Sequence, residues 1–198
     1  MTATFRRFAA LALGVVTLAS CAGDAPTEAP RLQSAGPAAS LTGTLLGVTS
    51  SLLAVDGLQR TTPLAAPITV SKAIGSAGGT LSIPAAGVSV VVPRGALATT
   101  TTITMTARAG SLVAYDFAPH GITFAKPLEF RQQLRGTNAS LLTAPLLGLG
   151  YYSDSGLLTE TGGLVSELLG GAVDFLTWSF NSSIPHFSGY IVTCGRRP

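Results

Sequence analysis

The chain has 198 residues, twelve of them basic and nine acidic, with 11% charged and 46% apolar overall. The small basic excess is scattered and never interleaved with aromatics, which leaves no electrostatic footprint for nucleic acid. Two cysteines and two histidines, without a C-x-x-C pair or a His-rich tract, leave no zinc-type ligand set, and no cofactor fingerprint is present.

Taken in chain order, Arg6 and Arg7 precede a short apolar run from Phe8 to Leu18. A spanning helix needs about twenty apolar residues, so this run has the length of a secretory signal rather than a membrane span. Leu18-Ala19-Ser20-Cys21 follows, and it resembles the lipobox of bacterial lipoproteins. That resemblance implies a diacylglycerol on the Cys21 thiol and cleavage just before it. Residues 1–21 are therefore read as a lipoprotein signal peptide, and the expected partner is a membrane, held through lipid on Cys21. The expected location is the bacterial cell envelope, with the outer membrane favoured in a Gram-negative host because Ala22, not Asp, follows the acceptor. Processing leaves ten basic against nine acidic residues, a net charge of +1. With Cys21 acylated, Cys194 is a single thiol and no intramolecular disulfide is expected.

Residues 22–40 are rich in Ala, Pro, Gly and Ser without an apolar period, the composition of a flexible tether. A tether of that length spans about 25 Å on average. Leu41 to Leu58 is apolar and uncharged up to Asp56, and its periodicity fits both a marginal helix and two short strands. It either covers an apolar face of the next domain or meets a membrane or partner. Residues 22–65 are thus assigned to a tether and apolar lead-in, and 66–195 to the folded domain.

From Ile68 the texture is β, with Val-, Ile-, Thr- and aromatic-rich runs broken every eight to twelve residues or so by Gly, Pro and Asp. Strands are predicted at Thr80–Ile83, Val88–Val92, Thr101–Ala107, Leu128–Leu134, Ala172–Phe180 and Ile184–Val192, with a short helix around Leu164–Leu169. Alternation of Thr with apolar residues over 101–106 predicts one wet face, whereas the almost wholly apolar Val88–Val92 predicts a strand buried in a sandwich. About 130 residues suffice for one core. The predicted fold is all-β, an antiparallel two-sheet β-sandwich preceded by a signal peptide and a flexible tether. Val90, Ile103, Phe124, Phe130, Trp178 and Phe187 are expected in or near its core.

Three blocks carry a family resemblance. Gly78-Gly79-Thr80-Leu81, then Gly87 to Leu97 with Pro93-Arg94-Gly95, then Pro119-His120-Gly121-Ile122-Thr123-Phe124 with Lys126-Pro127-Leu128, resemble the ZU-five (ZU5) domain of tight-junction scaffolds, netrin receptors and ankyrins. The resemblance spans about residues 74 to 134 and implies a β-sandwich used for protein-protein contacts and scaffolding, here with an envelope protein as partner. Read without the family, the glycines serve turns and Pro127 suits the start of a strand. His120 reads as a hydrogen-bonded loop residue.

One triplet is chemically suggestive. Among some ZU5 proteins, and in a self-cleaving nucleoporin, His-Phe-Ser marks autoproteolysis between the Phe and the Ser, and here it stands at His186-Phe187-Ser188. In that chemistry the Ser hydroxyl attacks the preceding carbonyl, His takes the hydroxyl proton, and water hydrolyses the resulting ester. In a strand, His186 and Ser188 share a face while Phe187 anchors the other, and Gly189 permits backbone distortion. The alternative is an ordinary closing strand with Phe187 inward.

No G-x-S-x-G elbow, P-loop or dinucleotide fingerprint is present, and the carboxylates are too scattered to nominate a pair. Tyr151, Tyr152 and Trp178 could build a sugar-stacking surface, which keeps an adhesive or glycan-binding module open beside their more common use in a core.

Overall fold

The computed structural model describes residues 51–197. The signal peptide, Cys21 and residues 22–50 of the tether and lead-in lie outside them. The described chain forms fifteen strands and three short 3-10 turns, with no α-helix. The strands are β1 (Leu53–Gly57), β2 (Gln59–Leu64), β3 (Ile68–Ile74), β4 (Gly79–Ile83), β5 (Val88–Val92), β6 (Thr101–Ala107), β7 (Gly110–Leu112) and β8 (Ala114–Ala118). They continue as β9 (Thr123–Gln133), β10 (Gly148–Tyr152), β11 (Gly162–Val165), β12 (Glu167–Leu169), β13 (Gly171–Asp174), β14 (Ser179–His186) and β15 (Gly189–Arg196).

Two antiparallel sheets face each other. One runs β13-β14-β9-β5-β4, and the larger runs β11-β1-β15-β8-β6-β3 with β10 also on β15 and β12 on β10, while β2 and β7 pair as a ribbon. The main core interdigitates Leu81, Ile83, Val88, Val90, Phe130 and Phe180 of the first sheet with Ile103, Met105, Tyr115, Phe117, Tyr190 and Val192 of the second. Strands β8 and β15 are buried on both faces. Tyr190 and Val192 enter the main core, while Ile191 enters a smaller one with Val55, Leu112, Ala114, Tyr152 and Val165. That is why Tyr190-Ile191-Val192 is an unbroken apolar run.

The expected core residues Val90, Ile103, Phe130 and Phe187 are buried, and Phe124 and Trp178 pack partly buried against them. Strand β6 has the wet face its alternation predicts. Thr104 and Thr106 face solvent and hydrogen-bond across to Ser71 and Thr69 of β3 at 2.8 and 2.9 Å, a hydroxyl ladder of the kind that stabilises cross-strand pairs.

Several expectations are corrected. Val88–Val92 is not buried on both faces, because among the described residues no layer covers the outer face of its sheet there, and Val91 is 37% exposed. Leu164–Leu169 is not a helix. It is β11 and β12 on either side of Ser166, with β11 on β1 and β12 on β10. The single strand expected over Ala172–Phe180 is a hairpin. Asp174 accepts the N–H groups of Leu176 and Thr177 and the Thr177 hydroxyl, and Trp178 takes the left-handed conformation at φ 49°. Pro127 lies within β9, opposite the register irregularity between Ile184 and His186, where its missing donor is tolerated. The sheets also take in residues expected in the lead-in, since β1 pairs with β15 and β2 with β7.

Candidate functional site

The triplet sits at the corner where the chain passes from one sheet to the other. His186 ends β14, Phe187 and Ser188 connect, and Gly189 opens β15, so the three residues do not form the continuous strand expected of Ile184–Val192. Spacing explains the break. Ile184, Phe187 and Tyr190 all enter one core, yet residues three apart in a strand point to opposite faces.

Phe187 is the anchor of this corner. Its ring stacks on Phe117 at 5.3 Å between centroids and meets Phe124 edge-on at 4.7 Å, while its N–H donates to the Ile122 carbonyl at 3.2 Å. Ser188 is buried, and its hydroxyl donates to the Tyr152 carbonyl at 3.1 Å. His186 lies on Tyr151, edge-to-face at 4.8 Å. Its Nδ1 is 3.3 Å from the Tyr190 hydroxyl and its Nε2 is 3.4 Å from Glu167 Oε2. The Tyr190 hydroxyl also donates to the His186 carbonyl at 2.7 Å, and burial raises its pKa above the usual tyrosine range.

The corner therefore brings His186 to Glu167, Tyr151 and Tyr190, and Ser188 to Tyr152. It does not hydrogen-bond His186 to Ser188. Among the described residues the non-glycine residue with positive φ is Trp178, at the opposite end of β14 from the triplet. An open cleft of about 500 Å³ adjoins the corner, lined by His120, Thr123, Tyr151, Ser153, His186 and Ser188. Both histidines of the chain thus border one cleft, although among the described residues no three of His, Cys, Asp and Glu group to hold a metal ion.

A second, larger groove of about 800 Å³ lies on the bare face of the five-stranded sheet. The ladders align Ser89 with Arg131 and Arg131 with Asn181, and beside them Val91 with Glu129 and Glu129 with Ser183. Leu169–Ala172 bounds this row of polar side chains, and Arg131 Nε is buried in it without a partner. Sequence reasoning missed this surface because its residues come from three strands distant in the chain.

The remaining candidates are dispersed. Tyr152 is a core residue whose hydroxyl is shared between Asp116 Oδ1 at 2.8 Å and the Tyr115 carbonyl at 3.1 Å. Tyr151 is at the corner, and Trp178 lies beyond the opposite end of β14, so the three aromatics do not form one stacking face. Burial and the neighbouring Asp56 push the Cys194 thiol up to about 11, which keeps it protonated and inert near neutral pH. Arg60 is a buried cation that sequence reasoning did not find. It donates to the Leu112 carbonyl and the Tyr115 hydroxyl, and Tyr115 in turn donates to Gln132.

Comparison with known families gives one match. The family model of the ZU5 domain aligns with residues 70–111, from within β3 into β7, and no curated protein matches the chain. The first two glycine-proline blocks fall inside that match, and Pro119–Leu128 falls outside it. Within it, Gly78 has φ 78° and a Cβ there would lie 2.4 Å from the Val92 carbonyl oxygen, so the turn before β4 requires glycine. Residues 70–111 thus mark the described β-sandwich as carrying a ZU5-like domain.

Proposed function

We propose that the chain is an exported, lipid-anchored cell-envelope protein that presents its ZU5-like sandwich as an interaction and scaffolding module. The ZU5 match carries the module, and the ordered series of Arg6-Arg7, apolar run and Leu18-Ala19-Ser20-Cys21 supports the anchor. The partner-facing surface in this reading is the bare face of the five-stranded sheet, where Val91 stands among Ser89, Glu129, Arg131 and Ser183. An apolar centre ringed by hydrogen-bonding groups is the usual anatomy of a protein interface, so the partner is another envelope protein.

The same reading leaves the Phe187-Ser188 bond uncut. Its hydroxyl is committed to Tyr152, its histidine to Glu167 and Tyr190, and the Phe187 ring is held by a stacked Phe117 and an edge-on Phe124.

Metabolic labelling with a fatty-acid analogue tests the anchor. The wild-type chain should incorporate label and Cys21→Ala should lose all of it. Equal labelling of both, or of neither, contradicts the anchor.

A further inference from the structure

Seven large apolar side chains are exposed among the described residues, and six of them, Leu52, Leu141, Leu142, Leu146, Phe175 and Leu176, gather toward one end of the sandwich. The register of the strands places them. Leu141, Leu142 and Leu146 lie on the turn and 3-10 segment just before β10, and that segment touches both β13 and the final part of β15. Phe175 and Leu176 form the tip of the β13–β14 hairpin, tied to the end of β9 by the 2.9 Å bond from the N–H of Leu134, the residue that follows it, to the Trp178 carbonyl. Leu52 precedes β1, which runs antiparallel to β15 with Val55 opposite Arg196, so the chain reaches the sandwich at this same end.

These side chains are displayed on ordered turns. Ser140 and Thr143 exchange hydrogen bonds of 2.9 to 3.2 Å around the Leu141-Leu142 turn. Asp174 clamps the hairpin that carries Leu176, which is 96% exposed. Phe175 rests against Trp178 with 5.9 Å between ring centroids. Two exposed cations, Arg135 and Arg196, belong to the same end. Of the acidic groups there, Asp174 is engaged by its own turn and Asp56 by Arg197.

We infer that this end is a membrane-docking tip, with Leu141, Leu142, Phe175 and Leu176 entering the interfacial region of an anionic lipid bilayer. The inference rests on the proposed lipid anchor for bringing the tip to a bilayer. Fully extended, the chain between Cys21 and Leu53 reaches about 100 Å, so tether length alone imposes no orientation. The apolar tip does. Apolar side chains on a rigid edge flanked by arginines are what an interfacial anchor requires, because apolar burial and attraction to anionic headgroups add. The lipid holds the chain at the bilayer without orienting the domain, and the tip supplies the contact that orients it. Docked this way, the sandwich keeps the His186 corner on the far side from the bilayer, since β14 carries the hairpin at one end and the corner at the other.

The mature, unacylated chain from Ala22 to Pro198 tests the tip without the lipid, since every described strand and both cores lie within residues 53–196. Trp178, the single tryptophan, sits beside Phe175 and reports docking directly. With vesicles of phosphatidylethanolamine and phosphatidylglycerol, its emission should shift to the blue and the protein should float with the vesicles. The combined Leu141→Ser, Leu142→Ser, Phe175→Ser and Leu176→Ser variant should keep the parent's circular dichroism and melting. It should lose at least about tenfold in partitioning. Three results overturn the tip. They are a parent that ignores vesicles because residues 41–50 cover it, a parent that dimerises through it instead, and a variant that binds undiminished. Fatty-acid labelling of Cys21 is a separate readout, so loss of the anchor and loss of the tip remain distinguishable.

Discussion

Phe187→Ala should lower the free energy of unfolding by about 3 to 5 kcal/mol, the range for truncating a buried phenylalanine. The side chain is 2% exposed and its ring is held between Phe117 and Phe124. It also closes the passage between the sheets, so a cavity there removes contacts from both at once. Ser188→Ala is the comparison, because it deletes one hydrogen bond to the Tyr152 carbonyl and should cost about 1 kcal/mol. Urea unfolding of the two variants measures the difference. A Phe187→Ala loss no larger than that of Ser188→Ala would contradict the anchoring role of the ring.

Gly189→Ala should destabilise by about 3 kcal/mol, toward the top of the range for overpacked sites. A Cβ at 189 would lie 2.0 to 2.4 Å from three atoms of the Tyr152 ring. That ring cannot move aside without cost, since it is buried in the smaller core and its hydroxyl is fixed by Asp116 and Tyr115. Burial, then the adjacent Asp116, raises the Tyr152 pKa above the usual range, so the hydroxyl remains a donor throughout the accessible pH. Combining Gly189→Ala with Tyr152→Ala should give a loss smaller than the sum of the two, since the clash disappears with the ring. Strict additivity in thermal or urea unfolding would show that the glycine is needed for another reason.

Period-two alternation revealed those strands that have one wet face. Thr101–Ala107 is legible because Ile103, Met105 and Ala107 point inward and the threonines outward. It failed where the chain turns out of a sheet. In Ala172–Phe180 the turn is made by Asp174 and a left-handed Trp178 rather than by glycine or proline, so a single Asp was its only residue-type signal, and Phe175, Leu176 and Trp178 around it read as strand. The corner at Phe187 did carry a signal, in the spacing of three between Ile184, Phe187 and Tyr190. Detecting it requires knowing that all three share one core. Leu164–Leu169 carried the opposite ambiguity, since a short apolar run fits strand or helix equally. The polar groove and the apolar tip are assembled from distant segments, and only the strand register joins them.

The account as a whole describes an anchored, uncut, ZU5-like module, and intact-mass spectrometry of the protein extracted from membranes and then denatured tests it most directly. Denaturation matters because a severed β15 would stay paired with β8, β10 and β1 and look intact under native conditions. The predicted result is one species that begins at an acylated Cys21 and runs to Pro198, with a polypeptide that stays unbroken after prolonged incubation with hydroxylamine even where that reagent strips acyl chains from the anchor. An unacylated mass, or an 11-residue fragment from Ser188 to Pro198, would contradict it.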